Sequence, residues 1–243
     1  MYLSVIIPMY NEAANVERCI RTLVATLEAA ELSGGYELLL LDDGSTDRSP
    51  EIAERVARET SSPNGAVRVL RSSSGKNEGK GAAVRRGMLA ARGELRIFTD
   101  CDLAYGADVI VRMAERVTAD ADVDVLIGSR AIAGDGYSGY TPIRRLASRV
   151  FVRLLALTAG FHYTDSQCGI KLFRAEAAHE IFSRAEVNGW AFDFELLLLA
   201  DALGYTVAEH PVTVLDHGES KIHLLRDSIR MLSDVRRIRQ RVG

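Results

Sequence analysis

The chain has 243 residues, of which 47% are hydrophobic and 26% are charged, with a formal net charge of −3. That size is enough to bury one substantial core, and we expect a single domain over residues 1–243. The small negative charge gives no general attraction to nucleic acid, and no stretch approaches the roughly 20 apolar residues of a membrane-spanning helix.

Short β-branched or leucine-rich runs alternate along the chain with segments of helical spacing. The runs lie at 3–8, 36–41, 67–70, 95–99 and 123–127. After the first run, Val16, Ile20 and Leu27 recur at the helical period. Further helices are expected from Ser49-Pro50 and from Gly79-Lys80-Gly81. The alternation predicts an α/β fold with a mostly parallel central sheet flanked by helices.

Two aspartate clusters directly follow predicted strands: Asp42 and Asp43, then Asp100 and Asp102. Ligands of open α/β sheets bind outside the carboxyl ends of the parallel strands, so both clusters should face one crevice. Two carboxylates on one side of an extended segment, as at Asp100 and Asp102, suit Mg²⁺ or Mn²⁺ held against a diphosphate. A solvated turn is the alternative interpretation of that pair taken alone.

The first predicted strand ends at Pro8-Met9-Tyr10-Asn11-Glu12, beside the same crevice. A planar base could lie against Tyr10, with its polar edge or ribose meeting Asp42 or Asp43. An ordinary strand end, helix cap and Asp-Gly turn would explain the same residues. Lys80 could assist phosphate binding at a helix N-terminus or be a solvated lysine, and the glycine-rich segment around it lacks P-loop spacing.

Ordered motifs along the chain together resemble the family 2 glycosyltransferases of GT-A fold. Those of the first half are VIIPMYNE, LLDDGSTD, GKGAAVRRG, FTDCDLAYG and IGSR. Those of the second half resemble dolichyl- and polyprenyl-phosphate sugar synthases, most closely the dolichyl-phosphate β-glucosyltransferase type: DSQCGIKLF, WAFDFELL and HGESKI. The resemblance implies a nucleotide-sugar-binding half at 1–130 and an acceptor-binding half at 131–243.

The resemblance also implies roles for individual residues. Those expected at the nucleotide sugar are Pro8, Tyr10, Glu12, Asp42, Asp43, Lys80, Asp100, Cys101, Asp102, Arg130, Ser220 and Lys221. Those expected in catalysis are Asp102, Arg130, Asp193, Glu195 and Lys221, with Asp193 or Glu195 as the carboxylate that activates an acceptor. Asp100 and Asp102 would hold the metal, and the acceptor would meet Arg144, Arg145 and Gln167. Ala104 replaces a polar residue of some mannosyl-type relatives, which leaves the remaining metal ligands open.

Two basic amphipathic stretches occur late in the chain, at 142–164 and 222–242. Each could lie as a helix on anionic lipid headgroups, or pack on the domain with a solvated basic face. The resemblance favours a peripheral protein on the cytoplasmic face of a membrane. The three cysteines are far apart and lack partners for zinc or a disulfide framework, which agrees with reduced cytosolic thiols.

The resemblance implies an inverting transfer of a hexose from a nucleotide sugar to a polyprenyl or dolichyl phosphate, with glucose as the favoured hexose. UDP-glucose is the favoured donor and GDP-mannose the alternative, and a membrane-embedded protein that uses or flips the product is a further expected partner. A phosphate acceptor is largely a dianion at neutral pH and needs little help from a base. A soluble transferase to a hydroxyl would need Asp193 or Glu195 as that base. A nonenzymatic nucleotide-sugar-binding module is a third, weaker hypothesis, because both metal aspartates and the Lys221 segment are present.

Overall fold

The computed structural model describes residues 2–134, 162–189, 191–215 and 237–242. The strands are β1 (Leu3–Met9), β2 (Tyr36–Asp42), β3 (Gly65–Arg71), β4 (Leu95–Phe98), β5 (Val125–Ser129), β6 (Lys171–Arg174) and β7 (Val207–Pro211). The helices are α1 (Val16–Ala29), α2 (Ser49–Thr60), α3 (Lys80–Ala90), α4 (Asp108–Ala119), α5 (Ala175–Arg184) and α6 (Phe192–Ala202), and residues 237–242 are also helical. Four predicted site residues lie outside the described residues: Arg144, Arg145, Ser220 and Lys221. Most residues of the two basic stretches, 142–164 and 222–242, also lie outside the described residues.

The described strands form one sheet in the order β3-β2-β1-β4-β6-β5-β7. The first four are parallel neighbours, with Ile6 opposite both Leu39 and Phe98. β6 runs antiparallel between β4 and β5, and β7 adds in parallel to β5. The predicted mostly parallel sheet is therefore confirmed, with one reversed strand inserted near its middle.

Alternate residues of β1 point to opposite faces of the sheet and enter two separate cores. Val5 and Ile7 pack with α1, α2 and α4 on one face. Ile6 packs with α3, α5 and α6 on the other. With both faces covered, a ligand can reach the parallel strands only at their ends, and the aspartate clusters lie at the carboxyl ends.

None of the helices in the described part of the chain combines the length and apolar character that a bilayer crossing needs.

Candidate active site

Asp100 and Asp102 lie in a tight turn that follows β4. The Leu103 N–H donates to the Asp100 carbonyl at 3.1 Å, and the positive φ of Leu103 (54°) bends the chain back there. One carboxylate oxygen of Asp102 accepts the Ala104 N–H at 3.0 Å. Desolvation and the negative charge of Asp100 raise the pKa of Asp102, although its side chain remains exposed. A divalent cation bound between two carboxylates that repel one another would stabilise both in their ionised form.

Two lysines bring positive charge to these carboxylates. Lys80 begins α3, and its Nζ lies 2.5 Å from Asp100 Oδ1. Lys171 begins β6, is completely buried, and places its Nζ 2.5 Å from Asp193 Oδ1. Burial alone would lower the pKa of Lys80, but the surrounding carboxylates, chiefly Asp100 and Asp193, raise it. These residues together form a charged cluster of three carboxylates, on Asp100, Asp102 and Asp193, and two ammonium groups, on Lys80 and Lys171.

Asp193, a predicted acceptor-activating residue, lies in the first turn of α6 and is 5% exposed. Burial raises the pKa of its carboxyl, and the ammonium groups of Lys171 and Lys80 oppose that shift. The structure thus places Asp193 in this charged cluster. Its carboxylate is the buried partner of Lys171 rather than a carboxylate open to the crevice.

Glu195, the other predicted acceptor-activating residue, has no exposed surface. Residues two positions apart in a helix point about 200° away from each other, so Glu195 and Asp193 leave α6 on different sides. The Glu195 oxygens accept the N–H groups of Glu186 (2.9 Å) and Val187 (2.8 Å) and pair with Arg241. This placement disagrees with the expected role, because the carboxylate orders the loop before α6 and holds the C-terminal helix.

Arg130, expected at the phosphates, follows β5 and is held by Asp165. Its Nε and Nη2 lie 2.6 and 2.8 Å from the two carboxylate oxygens, and its backbone N–H donates to the same group at 3.0 Å. Burial opposes the charged form, but the hydrogen bonds that Arg130 donates to Asp165 raise the pKa of Arg130. A bidentate pair of this kind fixes the direction of the guanidinium. Asp165 is a residue that the sequence analysis did not assign.

Residues 165–169 also close over Asp100. A Cβ at Gly169 would lie 2.4 Å from Asp100 Oδ2, so glycine alone leaves that carboxylate in place. The Gly169 N–H donates to the Tyr105 hydroxyl at 3.3 Å. Gln167, a predicted acceptor ligand, is half-buried in the same segment. The motif DSQCGIKLF of the second half therefore completes a site begun by FTDCDLAYG in the first half.

The loops after β1 and β2 form the other side of the crevice. Asn11, with φ 55°, accepts the N–H groups of Thr46 (2.8 Å) and Asp47 (3.3 Å) through its side-chain oxygen. The side chain of Tyr10 is 42% exposed, as a residue that stacks on a base must be. Glu12 supports the start of α1, because its carboxylate accepts a hydrogen bond from Asn15 at 2.8 Å. Pro8, one residue before the end of β1, is half-buried.

Asp42 and Asp43 are both buried, at 4% and 3% exposed. Asp43 accepts the N–H groups of Glu78 (3.2 Å) and Gly79 (2.8 Å), which immediately precede Lys80. Burial raises the pKa of Asp43, and those two hydrogen bonds act in the opposite direction. Asp43 therefore orders the loop that delivers Lys80 to Asp100, a role that was not predicted.

The Cys101 side chain lies in the hydrophobic core and not in the crevice. It is 4% exposed, and hydrogen bonding to Cys19 together with burial raises the pKa of its thiol. Cys101 packs with the apolar side chains of that core, whereas Asp102 in the same turn is exposed. A contact of Cys101 with the nucleotide sugar stays a prediction, and the backbone of this turn could make that contact. All three cysteines are buried free thiols.

A divalent cation fits the carboxylates of Asp100 and Asp102. Desolvation first and the negative charge of Asp100 second raise the pKa of Asp102, and a bound cation would oppose both effects. Within residues 2–134, 162–189, 191–215 and 237–242, no group of three or more His, Cys, Asp or Glu side chains forms a metal cluster. A cation on the two aspartates would complete its coordination with diphosphate oxygens and water.

Comparison with known proteins identifies the family. The model of glycosyl transferase family 2 matches residues 4–182. The chain belongs to this family. Dolichyl-phosphate beta-glucosyltransferase of Saccharomyces cerevisiae is 31% identical over 247 residues, covering 97% of this chain and 73% of that protein. The Homo sapiens protein of the same name is 31% identical over 252 residues, covering 98% and 75%. Glycosyltransferase AglD of Haloferax volcanii is 34% identical over 97% of this chain, which spans 36% of AglD.

Solved structures show the fold of this family 2 member. Glucosyl-3-phosphoglycerate synthase from Mycobacterium tuberculosis, solved with Mn²⁺, UDP and glucosyl-3-phosphoglycerate, superposes with a TM-score of 0.69 at 19% identity, covering 99% of this chain and 79% of that one. Mannosyl-3-phosphoglycerate synthase from Rubrobacter xylanophilus gives a TM-score of 0.71 at 21% identity, covering 99% and 73%. The predicted GT-A fold is confirmed.

Proposed function

We propose that this chain transfers a hexose, with glucose favoured, from a nucleotide sugar to a polyprenyl phosphate with inversion at the anomeric carbon. UDP-glucose is the favoured donor and GDP-mannose the alternative, with Mg²⁺ or Mn²⁺ on Asp100 and Asp102. The names of the relatives support the acceptor and the sugar. The observation that carries the proposal is the buried ion pair between Asp193 and Lys171.

That ion pair favours an acceptor which brings its own negative charge. A hydroxyl acceptor needs a base in contact with the crevice, but Asp193 is 5% exposed and paired with Lys171 at 2.5 Å. Glu195 is enclosed by backbone N–H groups and Arg241. A phosphate monoester, with a second pKa near 6, is largely a dianion at neutral pH and requires no such base. The site therefore suits a lipid phosphate better than a sugar hydroxyl.

In the proposed reaction a phosphate oxygen attacks the sugar C1 in line, and the bond from C1 to the nucleoside diphosphate breaks with its electron pair on the diphosphate. When bound, the divalent cation supplies charge neutralisation to that leaving group. Lys80 adds a positive charge beside it, and Tyr10 with the loops after β1 and β2 positions the nucleoside. Arg130, oriented by Asp165, holds a phosphate together with Arg144 and Arg145. An α-linked donor gives a β-linked product.

We further propose that the protein is peripheral on the cytoplasmic face of a membrane, where a membrane-embedded partner uses or flips the lipid product. Arg241 contributes little to this contact, because it pairs with Glu186 and Glu195 within the domain. The buried Ile238 of the same helix also packs on the domain. The basic residues of 142–164 are accordingly the preferred lipid contacts, and they lie mostly outside the described residues.

Transfer to a short polyprenyl phosphate in detergent tests the proposal. Radiolabelled UDP-glucose and GDP-mannose are supplied in parallel with Mn²⁺, and the product is extracted into organic solvent and its anomeric configuration read by NMR. We expect a β-linked lipid phosphosugar from UDP-glucose. Transfer to water-soluble hydroxyl acceptors with none to the lipid phosphate would establish the soluble-transferase alternative. Donor binding without any turnover would establish the nonenzymatic module.

A further inference from the structure

Lys80 sets the resting charge balance of the two metal aspartates. Its Nζ lies 2.5 Å from Asp100 Oδ1, and its side chain is 17% exposed. The ring of Phe192 lies 6.0 Å from the same atom, on the protein side of the site. An ammonium group in this position is held by a close carboxylate, by an aromatic ring and by limited access to water. It supplies positive charge at a carboxylate that a divalent cation would also use.

The two aspartates are consequently unequal before any ligand arrives. Lys80 engages one oxygen of Asp100, and the other lies so near Gly169 that a Cβ there would be 2.4 Å from it. Asp102 is exposed, and its carboxylate accepts the backbone N–H of Ala104. An incoming cation therefore finds Asp102 open, but it must share Asp100 with an ammonium group of its own sign.

We propose that Lys80 is the resident counter-ion of the metal aspartates and makes divalent-cation binding depend on the nucleotide diphosphate. This inference rests on the proposed function. Without nucleotide, the cation and the ammonium group repel each other across Asp100. With nucleotide, the diphosphate gives Lys80 a new anionic partner and gives the cation additional oxygen ligands. Coupling between two ligands is reciprocal, so each strengthens the binding of the other by the same factor.

Mn²⁺ binding to the full chain, measured by calorimetric titration with and without UDP, tests the inference without any sugar transfer. For the wild type we expect UDP to strengthen Mn²⁺ binding by at least about 10-fold, within the usual range of such coupling. Lys80→Met should bind Mn²⁺ alone at least about 10-fold more tightly than the wild type, and its enhancement by UDP should shrink. Lys76→Met is the matched control, because it removes the same charge from an exposed position in the same loop. It should behave as the wild type.

Lys80→Gln is a second variant of similar side-chain length, and thermal melting establishes that each protein is folded. The inference is overturned if the Lys80 variants bind Mn²⁺ alone no more tightly than the wild type, or if UDP does not strengthen Mn²⁺ binding to the wild type. The protein could show coupling between Mn²⁺ and UDP that depends on Lys80 and yet fail to glycosylate polyprenyl phosphate. That result would contradict the proposed acceptor and leave this inference standing. A wild type that binds no Mn²⁺ under either condition would contradict both.

Discussion

Lys171 and Asp193 form a buried ion pair in the candidate active site. The Lys171 ammonium group also donates to the Cys168 carbonyl at 2.8 Å and lies 5.6 Å from the centre of the Phe98 ring. Removing one member of a buried pair leaves the other charge without compensation, which costs far more than the pair contributes. The pair therefore makes the interior of the site sensitive to single substitutions.

Asp193→Asn should lower the free energy of unfolding by about 3–5 kcal/mol, because Lys171 keeps its charge in a buried environment. Urea denaturation measures the loss, and Lys171→Met/Asp193→Leu should recover most of it. Asp108→Asn is the control, since its ion pair with Arg112 is exposed and should matter by no more than about 1 kcal/mol. The folded Asp193→Asn protein should keep substantial turnover with a phosphate acceptor. Complete inactivation of a protein of normal stability would favour the hydroxyl-acceptor alternative.

Asp102→Asn should reduce turnover by at least about 10²-fold, because it removes a charged ligand from a cation that stabilises the leaving group. Its melting temperature should stay near that of the wild type, since the side chain is exposed and makes one backbone hydrogen bond. Release of the nucleoside diphosphate is the measurement, with Asp108→Asn as the control. Full wild-type activity in EDTA would contradict the metal role.

The side-chain chemistry of the site could be predicted only in part from the sequence. The pair Asp100 and Asp102 could be predicted because it directly follows an apolar strand. The burial of Cys101 and Glu195 was not predicted, because a motif does not reveal which of its side chains enter the core. Lys171 had a signal that could have found it: a lysine inside the apolar run Ile170-Lys171-Leu172-Phe173 requires a buried partner.

At the scale of elements, α1 and α2 share a network of four exposed ion pairs, two of which cross between the helices and two of which lie within one helix. Arg21 and Arg55 each bridge Glu17 and Glu59, at N–O distances of 2.5–3.0 Å. Hydrogen bonds from Arg55 and Arg21 lower the pKa of Glu17, and those from Arg21 and Arg55 lower the pKa of Glu59. A carboxylate with a lowered pKa in the folded state contributes stability above its unfolded pKa, and that contribution is lost as the pH falls through the folded value.

Glu59→Gln should therefore melt at a lower temperature than the wild type at pH 7. The difference between the two proteins should shrink as the pH falls below the ordinary glutamate value of 4.5. It should also shrink in high salt, because exposed pairs are screened. Thermal melting across pH and salt is the measurement. A difference that grows on acidification would show that the glutamate stabilises the fold by some other means.

The segment 165–169 makes a second prediction about elements. Gly169→Ala places a methyl group 2.4 Å from Asp100 Oδ2, so the carboxylate must move away from Lys80 and from the cation. We expect weaker Mn²⁺ binding and lower turnover, with a smaller effect on stability because the displaced atom ends a side chain. Gly189→Ala is the matched control, since a Cβ there meets nothing within 4 Å. Equal Mn²⁺ affinity in the two variants would contradict the contact.

The elements of the first half could be predicted well, and those of the second half could not. The first four strands lie within two residues of the predicted apolar runs, and α2 and α3 begin at Ser49 and Lys80 as expected. The fifth strand was placed two residues early. β6 was not predicted, because its four residues between polar segments are too few to show a strand pattern. β7 was not predicted either, because Val207–Pro211 is a half-buried edge strand with a polar sequence.

For the whole molecule, the membrane proposal predicts salt-sensitive attachment. The wild type should co-sediment with anionic liposomes at low salt, because each basic residue near the surface contributes on the order of 1 kcal/mol. Arg144→Glu/Arg145→Glu should weaken that binding, whereas Arg18→Glu/Arg58→Glu, a matched reversal at exposed positions on α1 and α2, should not. A wild type that ignores anionic liposomes at every salt concentration would contradict membrane attachment.

Deletion of the C-terminal tail is a poor substitute for that test. Removing the residues after Ser233 takes away the buried Ile238 and the partner of Glu195, so the domain itself should lose stability. Charge reversal at Arg144 and Arg145 leaves those contacts intact, and liposome binding must be scored separately from turnover because both arginines are also proposed acceptor ligands.

The position of β6 has a consequence for synthesis on the ribosome. A nascent chain carries β4, β5 and the metal aspartates well before Lys171–Arg174 can enter between those two strands. Until then both strands have an unpaired edge, and Asp100 lacks Gly169 beside it. The surroundings of Asp100 are therefore complete only once the second half of the chain has been made.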